Sequence, residues 1–417
     1  MTVCYFTICA RNYLAYALTL RESLLAAQPD ARFLIFVSDE PPETPLGDAE
    51  VIAARDLDLP DAEFMTFAYD VMEFSTAIKP SCFEHLFDVV GVDAAVYLDP
   101  DILVLSPLAA VETALAAGAS AVVTPHLLRP LPRDGAVPAT KDIADTGVYN
   151  FGFLALRNDA PARAYLRWWR RECAENCIVD IRGGRFVDQK FGDMLPSFVP
   201  KTCILRDPGY NVAYWNLDQR HLAWDEDSAT IDGEVVAFVH LSGFDYDRPD
   251  RVSKHQNRFE RAADLGLGRL FDRYRAALAR NGHERFRAIP YAYGSLPDGR
   301  TVPKALRRYY RSQHLAGAPI VAFRDHADAL NARAAPGSPL TRFMLEVWRL
   351  RPDLAQAFDP WTRRGRWGYL VWFYQHARNE GLATPPYMPT AAAPVAAAVA
   401  TLRRRARDVL RRRCGGS

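Results

Sequence analysis

AAVYLDPDILVLSPL, residues 94–108, places two aspartates, Asp99 and Asp101, between two apolar runs. The first run is typical of a buried strand. Burying an ionised carboxylate costs several kcal/mol unless a partner compensates its charge. The segment is therefore either an ordinary Asp-Pro turn at the end of a strand or a pair of carboxylates that holds a divalent cation.

The composition is that of a globular protein. Its 417 residues allow one large domain with additions or two to three domains, and 49% hydrophobic residues support a sizeable core. A net charge of +1 argues against a nucleic-acid partner. We find no secretion signal and no apolar run near the roughly 18 residues of a membrane span. We therefore expect a cytoplasmic protein whose seven cysteines are reduced.

The order of the apolar segments predicts an α/β fold. TVCYFTI, NYLAYALTLRESLLAA and RFLIFVSD read as strand, helix and strand, which is the start of a mostly parallel sheet. We expect an α/β domain over residues 1–260, in which 126–147 is a long mobile loop. A helical accessory region is expected over 261–385. Residues 386–417 read as a linker and a basic tail.

The tail contains TLRRRARDVLRRRCGGS, with seven arginines against one aspartate, Asp408. One interpretation is a solvated helix, because runs of like charge are usually exposed. The other is peripheral contact with the anionic inner face of a membrane.

Open α/β sheets bind ligands beyond the carboxyl ends of their strands, so polar residues at strand ends are the candidates for a site. An N-terminal cap would account for Asn12, and a satisfied structural histidine would account for His240. Two carboxylates and one imidazole also suit a divalent cation such as Mn²⁺. Its open positions would suit the phosphates of a nucleotide. The candidates are Asn12, Tyr13, Asp99, Asp101, Asn150, Gly152, Asp188, Gln189, His240, Ser242 and Gly243.

Two of these segments carry a family resemblance. YLDPDILVL is similar to the D-x-D strand, and FVHLSGF to the H-x-x-G segment, of GT-A glycosyltransferases. The chain most resembles the retaining family-8 group, which includes glycogenin and bacterial lipopolysaccharide glycosyltransferases. The resemblance implies a GT-A fold, which is Rossmann-like with a mostly parallel sheet and flanking helices, here with a C-terminal helical extension. It also implies that Asp99, Asp101 and His240 bind Mn²⁺ or Mg²⁺.

Further segments follow in the family's order and imply contacts with the sugar nucleotide. CARNYLAYAL resembles the nucleotide loop and points to Ala10, Asn12 and Tyr13. FSTAIKPSCFEHLF resembles the helix that carries a donor-contacting basic residue, here Lys79, and the resemblance implies that Lys79 also assists catalytically in the departure of the diphosphate. The loop has Ala10 and Arg11 where the family often has an acid that accepts the uracil N–H.

The sugar side of the site follows in the same way. YNFGFLAL is similar to the strand whose Asn150 and Gly152 would touch sugar hydroxyls. VDQKFGDML resembles the segment near the anomeric carbon, where Asp188 or Gln189 would stabilise positive charge. GYNVAYWNL resembles the family's Y-N stretch.

The family's K-P-W after H-x-x-G is absent. Beyond Gly243, which would lie against the donor, Lys254 or Arg248 would supply charge to the diphosphate.

The resemblance implies metal-dependent transfer of a hexose from a nucleotide-diphosphate sugar, with UDP-sugar as the expected donor. The acceptor would be a hydroxyl of a glycan or lipid-linked glycan, such as lipopolysaccharide or exopolysaccharide, and configuration would be retained. Two alternatives stay open. One is a haloacid-dehalogenase-like phosphatase with Asp99 as its nucleophile. The other is a catalytically silent carbohydrate-binding protein.

Overall fold

The computed structural model describes residues 1–225, 228–296, 299, 301–317, 330–377 and 380. The chain divides into two compact units, Met1–Ser295 and Leu296–Ser417. The predicted linker and basic tail, 386–417, lie outside the described residues.

The strands of the first unit are β1 Val3–Cys9, β2 Arg32–Val37, β3 Glu50–Ala53, β4 Ala94–Leu98, β5 Ile102–Val104, β6 Ala121–Pro125, β7 Tyr149–Arg157, β8 Val179–Asp180, β9 Arg185–Phe186, β10 Thr202–Ile204, β11 Leu222–Asp225, β12 Ser228–Ile231, β13 Glu234–Val235 and β14 Phe238–His240. Its helices are α1 Leu14–Ala27, α2 Ala62–Ala68, α3 Val71–Ala77, α4 Lys79–His85, α5 Ala109–Ala116, α6 Thr140–Thr146, α7 Ala160–Asn176, α8 Leu195–Phe198, α9 Gly268–Arg280 and α10 His283–Arg287.

A seven-stranded sheet forms the centre of the first unit, in the order β10-β6-β7-β4-β1-β2-β3. Neighbouring strands are parallel except at β7, which runs antiparallel to both β4 and β6. Strands β1 and β2 are almost entirely buried, as expected for strands of a parallel sheet that helices cover on both faces. The predicted α/β class, a mostly parallel sheet with flanking helices, is confirmed.

The reversed direction of β7 decides where the site lies. Because β7 is antiparallel to β4, the start of β7 lies at the same edge of the sheet as the carboxyl end of β4. Leu98 pairs with Phe153 in this register. The amide of Asp99 donates to the carbonyl of Gly152 at 2.7 Å. The Asn150 and Gly152 region is therefore brought to the edge that carries the two aspartates.

Strand β14 is outside the central sheet. It pairs antiparallel with β5, with His240 opposite Ile102, and the amide of Leu241 donates to the carbonyl of Asp101 at 2.9 Å. This small two-stranded sheet brings a distant part of the chain to the turn between β4 and β5.

One expectation from the sequence is corrected. Residues 126–147 are not one unstructured loop, since α6 occupies Thr140–Thr146. The first unit runs to Ser295 and includes α9 and α10. The side-chain amide of Asn281, which directly follows α9, donates from Nδ2 to Thr19 Oγ1 on α1 at 3.1 Å, so the end of α9 is joined to α1.

The second unit is helical in its described part, as predicted. Its helices are α11 Lys304–Leu315, α12 Arg342–Leu350, α13 Pro352–Ala357 and α14 Arg363–His376. The buried Tyr369 hydroxyl donates to the carbonyl of Met344 at 2.6 Å, which joins α14 to α12. Across the described part of both units, no helix is long and apolar enough to cross a membrane.

Candidate metal centre

The segment between β4 and β5 is a tight turn that presents two carboxylates. The amide of Ile102 donates to the carbonyl of Asp99 at 3.0 Å, which closes the turn around Pro100. The Asp99 and Asp101 side chains keep 29% and 17% of their surface exposed. The Asp-Pro turn interpretation is therefore correct for the backbone, and the carboxylates still require a chemical explanation.

His240 meets both carboxylates. Its Nε2 lies 3.0 Å from Asp101 Oδ1 and 3.5 Å from Asp99 Oδ2, and one potential ligand atom of each residue lies within 4.8 Å of the other two. The donor set of two carboxylate oxygens and one imidazole nitrogen suits a hard or borderline divalent cation. The structure thus brings together the three residues that the sequence assigned to metal binding.

Gly152 shapes the space beside this cluster. A Cβ atom at this position would lie 2.4 Å from Cε1 of His240 and 2.6 Å from Oδ2 of Asp99. The absence of a side chain therefore lets the imidazole and the carboxylate approach each other. The buried Tyr97 hydroxyl donates to Asp99 Oδ1 at 2.5 Å, which fixes the other oxygen of that carboxylate.

Burial and neighbouring charges shift the pKa values of Asp99 and His240 in opposite directions. Burial raises the pKa of Asp99, although the charges of Lys79 and His240 lower it. Burial lowers the pKa of His240, but the carboxylate charges, chiefly that of Asp101, outweigh burial and raise it overall. A cation shared by the three groups would compensate both carboxylates.

Lys79 lies beneath the cluster in a buried ion pair. Its Nζ is 2.5 Å from Asp188 Oδ2 and donates to the carbonyl of Phe151 at 2.8 Å. The same nitrogen lies 4.1 Å from the centre of the Tyr97 ring. Lys79 is 1% exposed and Asp188 is 2% exposed. The structure therefore pairs two residues to which the sequence analysis gave separate catalytic roles, and those roles stay predictions.

Asn150 and Gln189 are also inside the protein, 6% and 8% exposed. Asn150 Oδ1 lies 3.1 Å from His240 Nδ1, and Asn150 Nδ2 lies 3.2 Å from Gln189 Oε1. Their predicted contacts with sugar stay predictions, because in this structure both amides are bonded to protein groups.

The nucleotide loop forms a 3-10 turn, Arg11–Tyr13, before α1. Ala10 is buried, and Asn12 is not the capping residue of α1, because Tyr13 precedes the helix and no side chain caps it. Tyr13 is 36% exposed and stacks on Tyr16 with ring centroids 4.1 Å apart. A flat aromatic surface is therefore present in the segment that resembles a nucleotide loop.

Arg11 is held by an acid that the sequence analysis did not select. Asp39, two residues after β2, accepts from the Arg11 backbone amide at 2.8 Å and lies 3.7 Å from Arg11 Nε. The loop that lacks its own acid is therefore next to a buried carboxylate from another strand.

The basic residues predicted for the diphosphate lie after β14. The Lys254 amide donates to the carbonyl of Gly243 at 3.0 Å, and the Lys254 side chain is exposed. Arg248 pairs with Asp245 at 3.0 Å. Gly243 has a positive φ of 74°, and a Cβ there would lie 2.4 Å from Ser253 Oγ, so this turn requires glycine.

Besides Asp39, the sequence analysis did not single out three further residues of the site. Tyr97 is an apolar-looking strand residue whose hydroxyl reaches Asp99. Asn211 belongs to the Y-N stretch and donates from Nδ2 to Asn150 Oδ1 at 3.0 Å. His126 follows β6 directly, so the rule that identified other polar residues at strand ends would also have found it.

No family model matches the chain. An uncharacterized Bacillus subtilis (strain 168) protein, YfnF, is 32% identical over 99 residues, which are 24% of this chain and 33% of YfnF. The chain thus matches about a third of the length of this curated relative.

Among solved structures, the galactosyltransferase LgtC in complex with donor and acceptor sugar analogues is 16% identical, with a TM-score of 0.41 over 69% of this chain and 97% of LgtC. The Streptococcus pneumoniae TIGR4 glycosyltransferase GlyE is 14% identical, with a TM-score of 0.38 over 69% of this chain and 65% of GlyE.

Proposed function

We propose that this chain is a metal-dependent glycosyltransferase that moves a hexose from a nucleotide-diphosphate sugar to a hydroxyl of a glycan acceptor, with retention of configuration. UDP-sugar is the proposed donor, and a lipopolysaccharide or exopolysaccharide glycan is the proposed acceptor. The observation that carries the proposal is the convergence of Asp99, Asp101 and His240 at the ligand-binding edge of the sheet. The ordered series of motifs around these residues supports it.

Each group of residues would contact a different part of the donor. Asp99, Asp101 and His240 would hold Mn²⁺ or Mg²⁺, which when bound would neutralise charge on the departing diphosphate. The exposed Tyr13 ring would stack on the base. Lys254, exposed after the Gly243 turn, would add positive charge at the diphosphate.

The acceptor hydroxyl must lose a proton to form the new glycosidic bond, and retention requires it to enter on the face that the diphosphate leaves. The departing diphosphate oxygen would accept that proton, because it leaves from the face on which the hydroxyl enters. Asp188 or Gln189 would stabilise the positive charge that develops on the sugar ring, through the network that joins them to Lys79 and Asn150.

The test is hydrolysis of a panel of nucleotide sugars by the purified full-length protein, with Mn²⁺ and with EDTA. We expect Mn²⁺-dependent release of one nucleoside diphosphate, which would identify both the base and the sugar. Asp101→Ala should reduce release by more than about 100-fold, because losing only an outer partner of a metal ligand already costs up to about 100-fold. Asp30→Ala, which removes an exposed acid between α1 and β2, is the matched control and should retain activity.

Near-wild-type release by Asp101→Ala would contradict the proposal. Hydrolysis of an aryl phosphate that depends on Asp99 would instead favour the phosphatase alternative. Failure to bind Mn²⁺ and to turn over any donor would favour the silent carbohydrate-binding alternative.

A further inference from the structure

We infer that Asn150 is a positioning residue that fixes the tautomer and the ring orientation of His240. We also infer that His126 fixes the orientation of the Asn150 amide by accepting from its nitrogen. This inference rests on the metal site of the proposed function. It differs from the role that motif resemblance implies for Asn150, which is direct contact with sugar hydroxyls.

The orientation of the Asn150 amide is set by backbone groups through Gln189. The backbone N–H of Phe151 donates to Gln189 Oε1 at 3.1 Å, and Gln189 Nε2 donates to the carbonyl of Thr146 at 3.0 Å. An N–H can only donate and a carbonyl can only accept, so the oxygen and nitrogen of Gln189 are assigned. Gln189 Oε1 then requires a donor 3.2 Å away, which is Asn150 Nδ2.

His126 fixes the same amide independently. Its Nδ1 lies 3.2 Å from the carbonyl of Val148, so Nδ1 carries the proton and Nε2 is an acceptor. Nε2 lies 3.3 Å from Asn150 Nδ2. Burial lowers the pKa of His126 to about 4, which keeps the ring neutral near pH 7. The contacts with Gln189 and with His126 therefore both assign the same end of the Asn150 amide as its nitrogen.

The oxygen of Asn150 must then face the other way. It lies 3.1 Å from His240 Nδ1 and accepts from Asn211 Nδ2 at 3.0 Å. Asn211 Nδ2 also donates to Thr124 Oγ1 at 2.8 Å. Facing an acceptor, His240 Nδ1 must carry a proton. With Nδ1 protonated, a cation held by the two carboxylates would bind the Nε2 lone pair, and without a cation Nε2 donates to Asp101 Oδ1.

The count of hydrogen bonds excludes a second task for Asn150 in this conformation. An asparagine amide has two N–H donors and one oxygen with two lone pairs. The donors go to His126 and Gln189, and the lone pairs accept from His240 and Asn211. With 6% of its surface exposed, Asn150 has no hydrogen-bonding position left for a sugar. It acts through His240, in the way that second partners of metal-bound histidines set the ring.

The experiment measures Mn²⁺ affinity of the full-length protein by electron paramagnetic resonance, without any nucleotide or sugar. Asn150→Leu and His126→Phe should weaken Mn²⁺ binding by about 10- to 100-fold. His126→Phe keeps a ring beside Trp215, which packs on His126 at 5.0 Å between centroids. His126→Gln should restore much of the affinity, because its amide oxygen can accept from Asn150.

The matched control is His85→Phe. His85 contacts the Phe36 ring, away from the metal cluster, and its loss should leave Mn²⁺ affinity unchanged. If Asn150→Leu and His126→Phe bind Mn²⁺ as the wild type does while Asp101→Ala does not, the inference is overturned and the proposed metal site stands.

A second readout keeps the inference testable if the wild type binds no Mn²⁺, which would count against the proposed function instead. Nitrogen-15 spectra of the histidine rings report the tautomer directly. His240 Nδ1 should be protonated in the metal-free wild type, because it faces Asn150 Oδ1, and should be unprotonated in a larger share of Asn150→Leu molecules. An unprotonated His240 Nδ1 in the wild type would refute the inference.

Discussion

Replacing Lys79 with methionine tests whether the buried ion pair beneath the site is a structural unit. Lys79 and Asp188 are 1% and 2% exposed and lie 2.5 Å apart. Removing one partner of a buried pair typically costs about 3–5 kcal/mol, since the other charge stays buried without compensation. The Asp188 carboxylate can avoid that state by binding a proton, so the cost should depend on pH.

The expected loss in the free energy of unfolding is set by the cost of protonating Asp188. Burial already raises the pKa of Asp188, against the opposing effect of Lys79, so removal of Lys79 should raise it further. Protonating a carboxyl of unfolded pKa about 3.9 costs about 1.4 kcal/mol per pH unit, which is about 4 kcal/mol at pH 7 and about 1.5 kcal/mol at pH 5. A raised folded pKa makes the loss grow as pH rises. The deficit of Lys79→Met should therefore be small at acid pH and large at neutral pH.

The assay is urea unfolding of the full-length protein at several values between about pH 5 and pH 7, a range that follows from these pKa values. Lys79→Met combined with Asp188→Asn should recover most of the lost free energy of unfolding at neutral pH, because no charge is then left buried. Lys141→Met is the control, since Lys141 forms an exposed pair with Asp145 and should leave the unfolding midpoint unchanged. A deficit independent of pH, or no larger than that of the control, would refute the reasoning.

Two further substitutions probe the cluster itself. Gly152→Ala should abolish Mn²⁺ binding while circular dichroism stays unchanged, because the new methyl group would lie 2.4 Å from His240 Cε1; wild-type affinity would show that the ring position is not critical. Tyr97→Phe should lower the free energy of unfolding by about 1.5 kcal/mol in urea, since it removes a 2.5 Å bond to the Asp99 carboxylate. An unchanged free energy would mean that water replaces the hydroxyl without loss.

Local patterns were enough to predict the strand–helix–strand start of the chain and the turn that carries Asp99 and Asp101. Each rests on neighbouring residues, where hydrophobic period and turn chemistry act directly. The direction of β7 and the pairing of β14 with β5 were not predictable in this way, because they depend on contacts between distant segments. Those two features bring Asn150 and His240 to the aspartates, so the sequence could name the residues without showing how they meet.

The same limit applies to the roles of individual residues. Lys79 and Asp188 lie far apart in the chain, and each alone looks like a group available to a substrate. The structure places them against each other, which a sequence pattern for either residue cannot show. His126 was missed although it directly follows β6, where the strand-end rule that selected His240 also applies.

Hydrogen-bonding capacity separates the groups that frame the site from those that can meet a ligand. Lys79 is engaged by Asp188 and a carbonyl, and Asn150 has all four positions filled. Asp99 and Asp101 keep 29% and 17% of their side-chain surface exposed, so they are the open groups of this edge. If Lys79 stays paired in the complex, positive charge at a departing diphosphate must come from the metal and from a residue such as Lys254, whose side chain is exposed.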